Sequence, residues 1–238
     1  MFKKIELLNK KDHQNLSLNK IPKVDFAKDL KIITLGLSEV SKLSSVLPIV
    51  ISGGDRQEFI AINSLGSKKG YFCENTPLEI YIPKFLKAYP FIMVDSKEEE
   101  NTDRKYRAVG LDVESDYVGE NKEYKLFKDE QYLGTYAKEK VQYVQQLEKD
   151  RLNSKLLLEE LKKNNLLDKR SIDVKLEDDM TKTILSDFYV VNKEKLYKLD
   201  DKILLKWAKN NWLFYIVSHI ESIPNIQYLL KNLLVTKN

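Results

Sequence analysis

The chain holds one cysteine and two histidines in 238 residues. A single cysteine excludes a disulfide framework and any multi-cysteine zinc or iron–sulfur site, and two histidines exclude most histidine-built metal centres. Glycine and proline are sparse, at 8 and 6 residues, which excludes collagen-like and low-complexity classes. Arginine is sparse as well: Arg56, Arg104, Arg107, Arg151 and Arg170 are the only five of 40 basic residues. Lysine supplies a point charge where arginine supplies a planar fork, and here the lysines alternate with acids, as in Lys138-Glu139-Lys140. The net charge of +4 therefore predicts solvated faces and no nucleic-acid groove. Long apolar runs are missing too. The longest, Trp212 to Val217, falls far short of the ~20 residues of a spanning helix, so no membrane insertion is expected. The opening Met1-Phe2-Lys3-Lys4 starts like a leader, but Glu6 and Asn9 break the apolar stretch behind it. A cytoplasmic location is expected, with surface association by a signal-independent route as the alternative.

What is present suits a packed core. Hydrophobic residues make up 42% and charged residues 32%, and a chain of this length buries roughly 70% of its unfolded surface. The pattern predicts one soluble α+β domain over residues 1–238, with a β-rich part at about 20–135 and a helix-rich part at about 136–238. The sheet is expected to be mainly antiparallel, built from hairpins and covered by one long helix and a C-terminal helical cluster. Leu47–Ser52 and Gln57–Ile62 flank Gly53-Gly54-Asp55 as a hairpin. Tyr71-Phe72-Cys73 reads as a short strand, Tyr81–Tyr89 as a short helix with Pro83 in its first turn, and Phe91–Val94 as a buried strand. Residues 95–130 carry twelve acids against seven bases and are expected to be exposed loop apart from a strand at Tyr106–Leu111. From Tyr136 to about Leu167, Ala137, Val141, Val144, Leu147, Leu152, Leu156 and Leu161 mark one amphipathic helix. A second hairpin is expected at Ile172–Val191, with helices after it. Trp212, Phe214 and Ile216, with Tyr89 and Phe91, are the expected packing anchors.

Chemical motifs are few. No phosphate-binding glycine loop, dinucleotide fingerprint or nucleophile elbow occurs. The acids Glu177-Asp178-Asp179 lack the ordered spacing and turn glycine of a calcium loop. A two-histidine, one-carboxylate iron site needs a short His-x-Asp, and Asn15 stands two residues after His13. No metal, cofactor or catalytic set is expected. If a small-molecule site exists, it lies near His219, which can titrate near neutral pH on an otherwise apolar helix, with Glu39 and His13 as companions. The competing reading is that all three are satisfied locally.

Several blocks, taken in order, resemble the SapC family. They are His13 with Leu16 and Leu18, Phe26-Ala27, Glu39, and Leu47-Pro48-Ile49-Val50. The most specific is Tyr81-Ile82-Pro83-Lys84-Phe85-Leu86-Lys87-Ala88-Tyr89-Pro90-Phe91, similar to the family's Tyr-Val-Pro-x-Phe-x-Arg-Arg-Tyr-Pro-Phe. Asp187-Phe188-Tyr189-Val190-Val191 with Leu196, and Trp212-Leu213 through Ser218-His219-Ile220-Glu221-Ser222-Ile223, complete the set. Lys87-Ala88 replace the paired arginines, and Asn211 stands where glycine is expected. The resemblance implies a bacterial surface-layer role: a non-enzymatic component of, or intracellular accessory to, the layer, meeting a protein partner of the layer or its export system. The alternative class is an enzyme or small-molecule binder with a pocket between the sheet and the C-terminal helices near His219. Neither reading sets an oligomeric state.

Overall fold

The computed structural model describes residues 1–66, 70–72, 80–97, 105–129, 132–175 and 181–235. In chain order the elements begin β1 (Ile5–Leu7), α1 (Lys10–His13), β2 (Ser17–Leu18), β3 (Ile32–Thr34), α2 (Leu37–Leu43), β4 (Ile49–Ser52) and β5 (Phe59–Ile62). Next come α3 (Lys84–Ala88), β6 (Phe91–Lys97), β7 (Lys105–Asp112), β8 (Val118–Gly119), β9 (Tyr124–Lys125) and α4 (Thr135–Lys163). The chain continues with β10 (Leu167–Lys175), β11 (Thr181–Val191), α5 (Lys193–Leu196), α6 (Asp201–Lys209), α7 (Trp212–Ser222) and α8 (Ile226–Val235). Every strand pairing is antiparallel, so the expected α+β class holds. Two compact units are built from interleaved segments.

One unit comprises Met1–Val24 and Ile82–Glu148. It holds the sheets β1-β7-β6 and β8-β2-β9. Its core gathers Leu18, Phe91, Leu111, Leu126, Ala137, Val141 and Val144. Asp112 is buried and saturated: it accepts from the Lys3 and Lys4 amides at 3.1 and 2.8 Å and from Tyr89 Oη at 3.2 Å. Burial pushes the Tyr89 hydroxyl up to about 12. Residues 95–130 were expected to be mostly exposed, yet Leu111, Asp112, Ser115, Val118 and Leu126 are buried there. The acids between them mask short strands whose inward positions are apolar, and a net-charge reading averages the two together.

The other unit comprises Asp25–Tyr81 and Lys149–Asn238. Its sheet runs β10-β11-β4-β5-β3. The β4–β5 hairpin pairs Ile49 with Ala61 and Ile51 with Phe59, and its two apolar runs are buried on both faces. Helix α7 packs against α2, β4 and β11. The expected strand at 71–73 is a bend at Tyr71 and Phe72, while Cys73 and the acids 177–179 lie outside the described residues.

Helix α4 begins one residue before its expected start and ends at Lys163. Asn165 takes a left-handed φ of 54°, and the 166→161 and 165→162 amide–carbonyl bonds, at 3.0 Å each, form a Schellman stop. The buried line of α4 differs from the expected one. Leu152 and Leu156 are 52% and 55% exposed, while Ser154, Leu157, Leu158 and Leu161 are covered. At 3.6 residues per turn, Ser154, Leu157, Leu158 and Leu161 lie about a third of a turn around the helix from Ala137, Val141, Val144 and Glu148, so one straight stripe does not mark the covered side. Glu148 earns its place on that side by accepting Arg107 Nη2 of β7 at 3.1 Å.

Candidate functional site

The start of α2 is set by a glycine and an acid. Gly36 precedes the helix, and the Glu39 carboxylate reaches back to accept its amide at 2.8 Å. Glycine has no side chain to return the bond, so only the carboxylate half of a capping box exists. Tyr81 Oη donates to the other Glu39 oxygen at 3.0 Å. These bonds satisfy an acid with 0% exposure, which would otherwise be costly to bury. A Cβ on Gly36 would come 2.5 Å from Asp150 Cβ, so this backbone lies directly against α4. Ser38 Oγ then donates to Asp150 Oδ2 at 2.6 Å.

Helix α7 forms a second wall. It is entered through Asn211, whose φ of 60° is left-handed and whose side chain does not cap the helix. Asparagine tolerates this conformation better than most residues, which accounts for its standing where glycine is expected. Trp212 and Tyr215 follow, three apart and on one face. Further along, His219 Nε2 accepts the Val191 amide of β11 at 3.0 Å, which places the ring proton on Nδ1. Burial lowers the His219 pKa to about 4; the Ile49 carbonyl opposes this weakly, without reaching hydrogen-bond geometry. Ser222 Oγ accepts the Ile49 amide at 2.9 Å and donates to the His219 carbonyl at 2.6 Å. Helix α7 is thus tied to two strands along one side.

Between these walls lies an open cleft of about 430 Å³. Leu37 and Ser38 of α2, Asp150, Asn153 and Leu156 of α4, and Asn210 to Trp212 with Tyr215 line it. Further clefts open elsewhere among the described residues. One of about 690 Å³, beside β2, β8 and β9, is edged by Lys10, Lys122, Lys125 and Lys128 with Glu120 and Asp129. Another of about 320 Å³ lies between the Asp55–Gln57 turn and α4. His219, Glu39 and His13 line none of the three.

His13 belongs to the first unit, whereas Glu39 and His219 belong to the second. Its Nδ1 lies 2.9 Å from the Asn9 carbonyl and 3.2 Å from the Asn9 amide nitrogen, and its Nε2 lies 3.2 Å from Glu6 Oε2, so the ring is held by local partners. The Glu6 carboxyl is held below its usual range, first by Lys4 and then by His13. Among the expected anchors, Tyr89 and Phe91 are buried, and Trp212 is partly exposed at the cleft. Phe214 is 53% exposed, a correction: α7 turns Ile216 and His219 inward, so a residue two positions before Ile216 faces out. The fully buried tryptophan is Trp207, whose Nε1 donates to Glu160 at 3.1 Å. At the position of the family's paired arginines, the Lys87 carbonyl accepts Lys140 Nζ at 2.8 Å. Asp150, Asn153 and Asn210 carried no sequence signal, because about sixty residues separate α4 from the α6–α7 turn.

Among the described residues, no group of three or more histidine, cysteine or acidic side chains could hold a metal ion, and no helix is long and apolar enough to cross a membrane. The SapC family profile matches residues 8–229. No curated protein and no solved structure matches the chain.

Proposed function

The chain belongs to the SapC family, and from that premise we propose that it serves a bacterial surface-layer system without catalysis, as a component of the layer or an intracellular accessory to it, by binding another protein. The observation that carries this reading is the outer face of α7, inside the family-matched region. Phe214 and Val217, one helical turn apart, are 53% and 49% exposed. Apolar side chains held open on one face favour a protein partner that removes them from water. The partner is a protein of the layer or of its export system. A photo-crosslinking amino acid replacing Phe214, in native cells fractionated into cytoplasm and shed layer, tests this. Crosslinks to a layer or export protein are expected. Crosslinks confined to unrelated proteins, or none, count against it.

A second reading, small-molecule binding, is favoured by the cleft at the start of α7. His219 contributes to it as a positioning residue and not as a ligand, because its Nε2 is occupied by the Val191 amide.

A further inference from the structure

We infer that the cleft between the start of α2, the middle of α4 and the start of α7 binds a neutral saccharide. Its wall is aromatic. Trp212 and Tyr215 sit on one face of α7 and line the space together. The C–H face of a sugar ring stacks on such surfaces, and tryptophan and tyrosine add a polar handle at their rim.

The polar complement matches hydroxyls. Asn153, Asn210 and Asn211 each offer two donors and an acceptor, and among the described residues none of their side chains makes a hydrogen bond. Asp150, steadied by Ser38, adds a carboxylate acceptor. A hydroxyl both donates and accepts, so this mixture suits a polyol.

Charge narrows the class. Among the described residues Asp150 is the only ionic one in the lining, so phosphates and acidic sugars meet repulsion. Lys206 stands 6.0 Å from the Trp212 ring centre and is paired with Glu160 at 2.9 Å. An ammonium already placed against the indole disfavours a cationic ligand there. The volume of about 430 Å³ falls within the ~300–1,000 Å³ of small-ligand sites.

Asn211 is the discriminating residue. Glycine would serve its backbone conformation equally well, but asparagine places an amide at the cleft. Asn211→Gly therefore removes a ligand group and spares the fold.

The test uses the full chain with cellobiose, maltose and chitobiose, each to about 10 mM, and a glucuronic-acid disaccharide as the anionic arm. Saturation-transfer NMR and tryptophan fluorescence read binding. Trp207 is sealed against Glu160, so a fluorescence change reports Trp212. At least one neutral sugar is expected to bind. Asn211→Gly should weaken it about fivefold, the loss of one hydrogen bond, and Trp212→Leu at least about tenfold. Tyr197→Ser, on the exposed end of α5, should leave binding unchanged. The inference is overturned if no neutral sugar transfers saturation, if only the acidic one binds, or if Asn211→Gly binds as well as the parent. Should Trp212→Leu fail to fold, Asn211→Gly decides alone. The inference does not rest on the surface-layer reading: failure of crosslinking from position 214 would leave sugar binding untouched.

Discussion

His219 Nε2 accepts the amide hydrogen of Val191 at 3.0 Å, joining residues 28 positions apart in a place with no solvent exposure. The bond needs the ring to be neutral at Nε2, because an imidazolium has no lone pair to offer. Protonation would therefore remove an acceptor from a buried amide and bury a charge in the same step.

Acid sensitivity follows. The folded-state pKa of His219 is about 4 against 6.5 unfolded, so between these values the unfolded chain binds more protons. The contribution is fully present above pH 6.5 and is lost as pH falls toward 4, reaching about 3 kcal/mol. His219→Gln keeps a neutral acceptor and does not titrate. Urea unfolding from pH 7 to pH 4 should show the parent losing about that much more stability than the variant. Parallel pH profiles would refute it.

Lys140 makes the opposite end of the pH scale informative. It is 8% exposed, and burial lowers its pKa from 10.5 to about 8. Below pH 8 both states are protonated and the folded state carries the cost of a buried charge. Between pH 8 and 10.5 the unfolded state binds the extra proton, so stability rises with pH by about 3 kcal/mol. Lys140→Met should remove that rise. The relevant measurement is the unfolding free energy of both proteins at pH 7.5 and 10.5.

The two tryptophans should respond differently to truncation. Trp207 is fully buried and bonded to Glu160, so Trp207→Ala should cost about 3–5 kcal/mol. Trp212 is only partly covered, and Trp212→Ala should cost less than half as much. Thermal midpoints in the reverse order would contradict the assignment of Trp207 as the anchor.

Glu39 should matter through the backbone it satisfies. Glu39→Ala strands the buried Gly36 amide, at about 1–3 kcal/mol, and removes the carboxylate that accepts from the Tyr81 hydroxyl. Tyr81→Phe removes one neutral partner and should cost about 1 kcal/mol. Chemical denaturation of both variants checks the order, and equal losses would show that the Gly36 bond contributes little.

The hairpin at residues 47–62, the long helix and the α+β class were legible because each rests on local periodicity and turn chemistry. The covered side of α4 beyond Val144 was not, since it takes in Glu148 and then shifts about a third of a turn around the helix to Ser154, Leu157 and Leu158. Glu148 is drawn inward by Arg107, a partner about forty residues away, and no hydrophobic pattern encodes such a pair. Phe214 shows the reverse error: an aromatic in an apolar run was expected inside and faces out.

The candidate site divides the same way. Glu39 and His219 stood out in the sequence as an acid and a titratable ring among apolar neighbours, and both are buried supports. The groups that line the cleft look like ordinary surface residues, Asp150 and Asn153 on α4 and Asn210 and Asn211 in the turn between α6 and α7. Periodicity and residue chemistry alone determined which segments become helices and strands, and which charged groups would need partners if buried. Only the tertiary structure decided who those partners are and which amides converge with Trp212, because convergence depends on how distant segments pack, and that is set by the summed burial of many side chains and by no local signal.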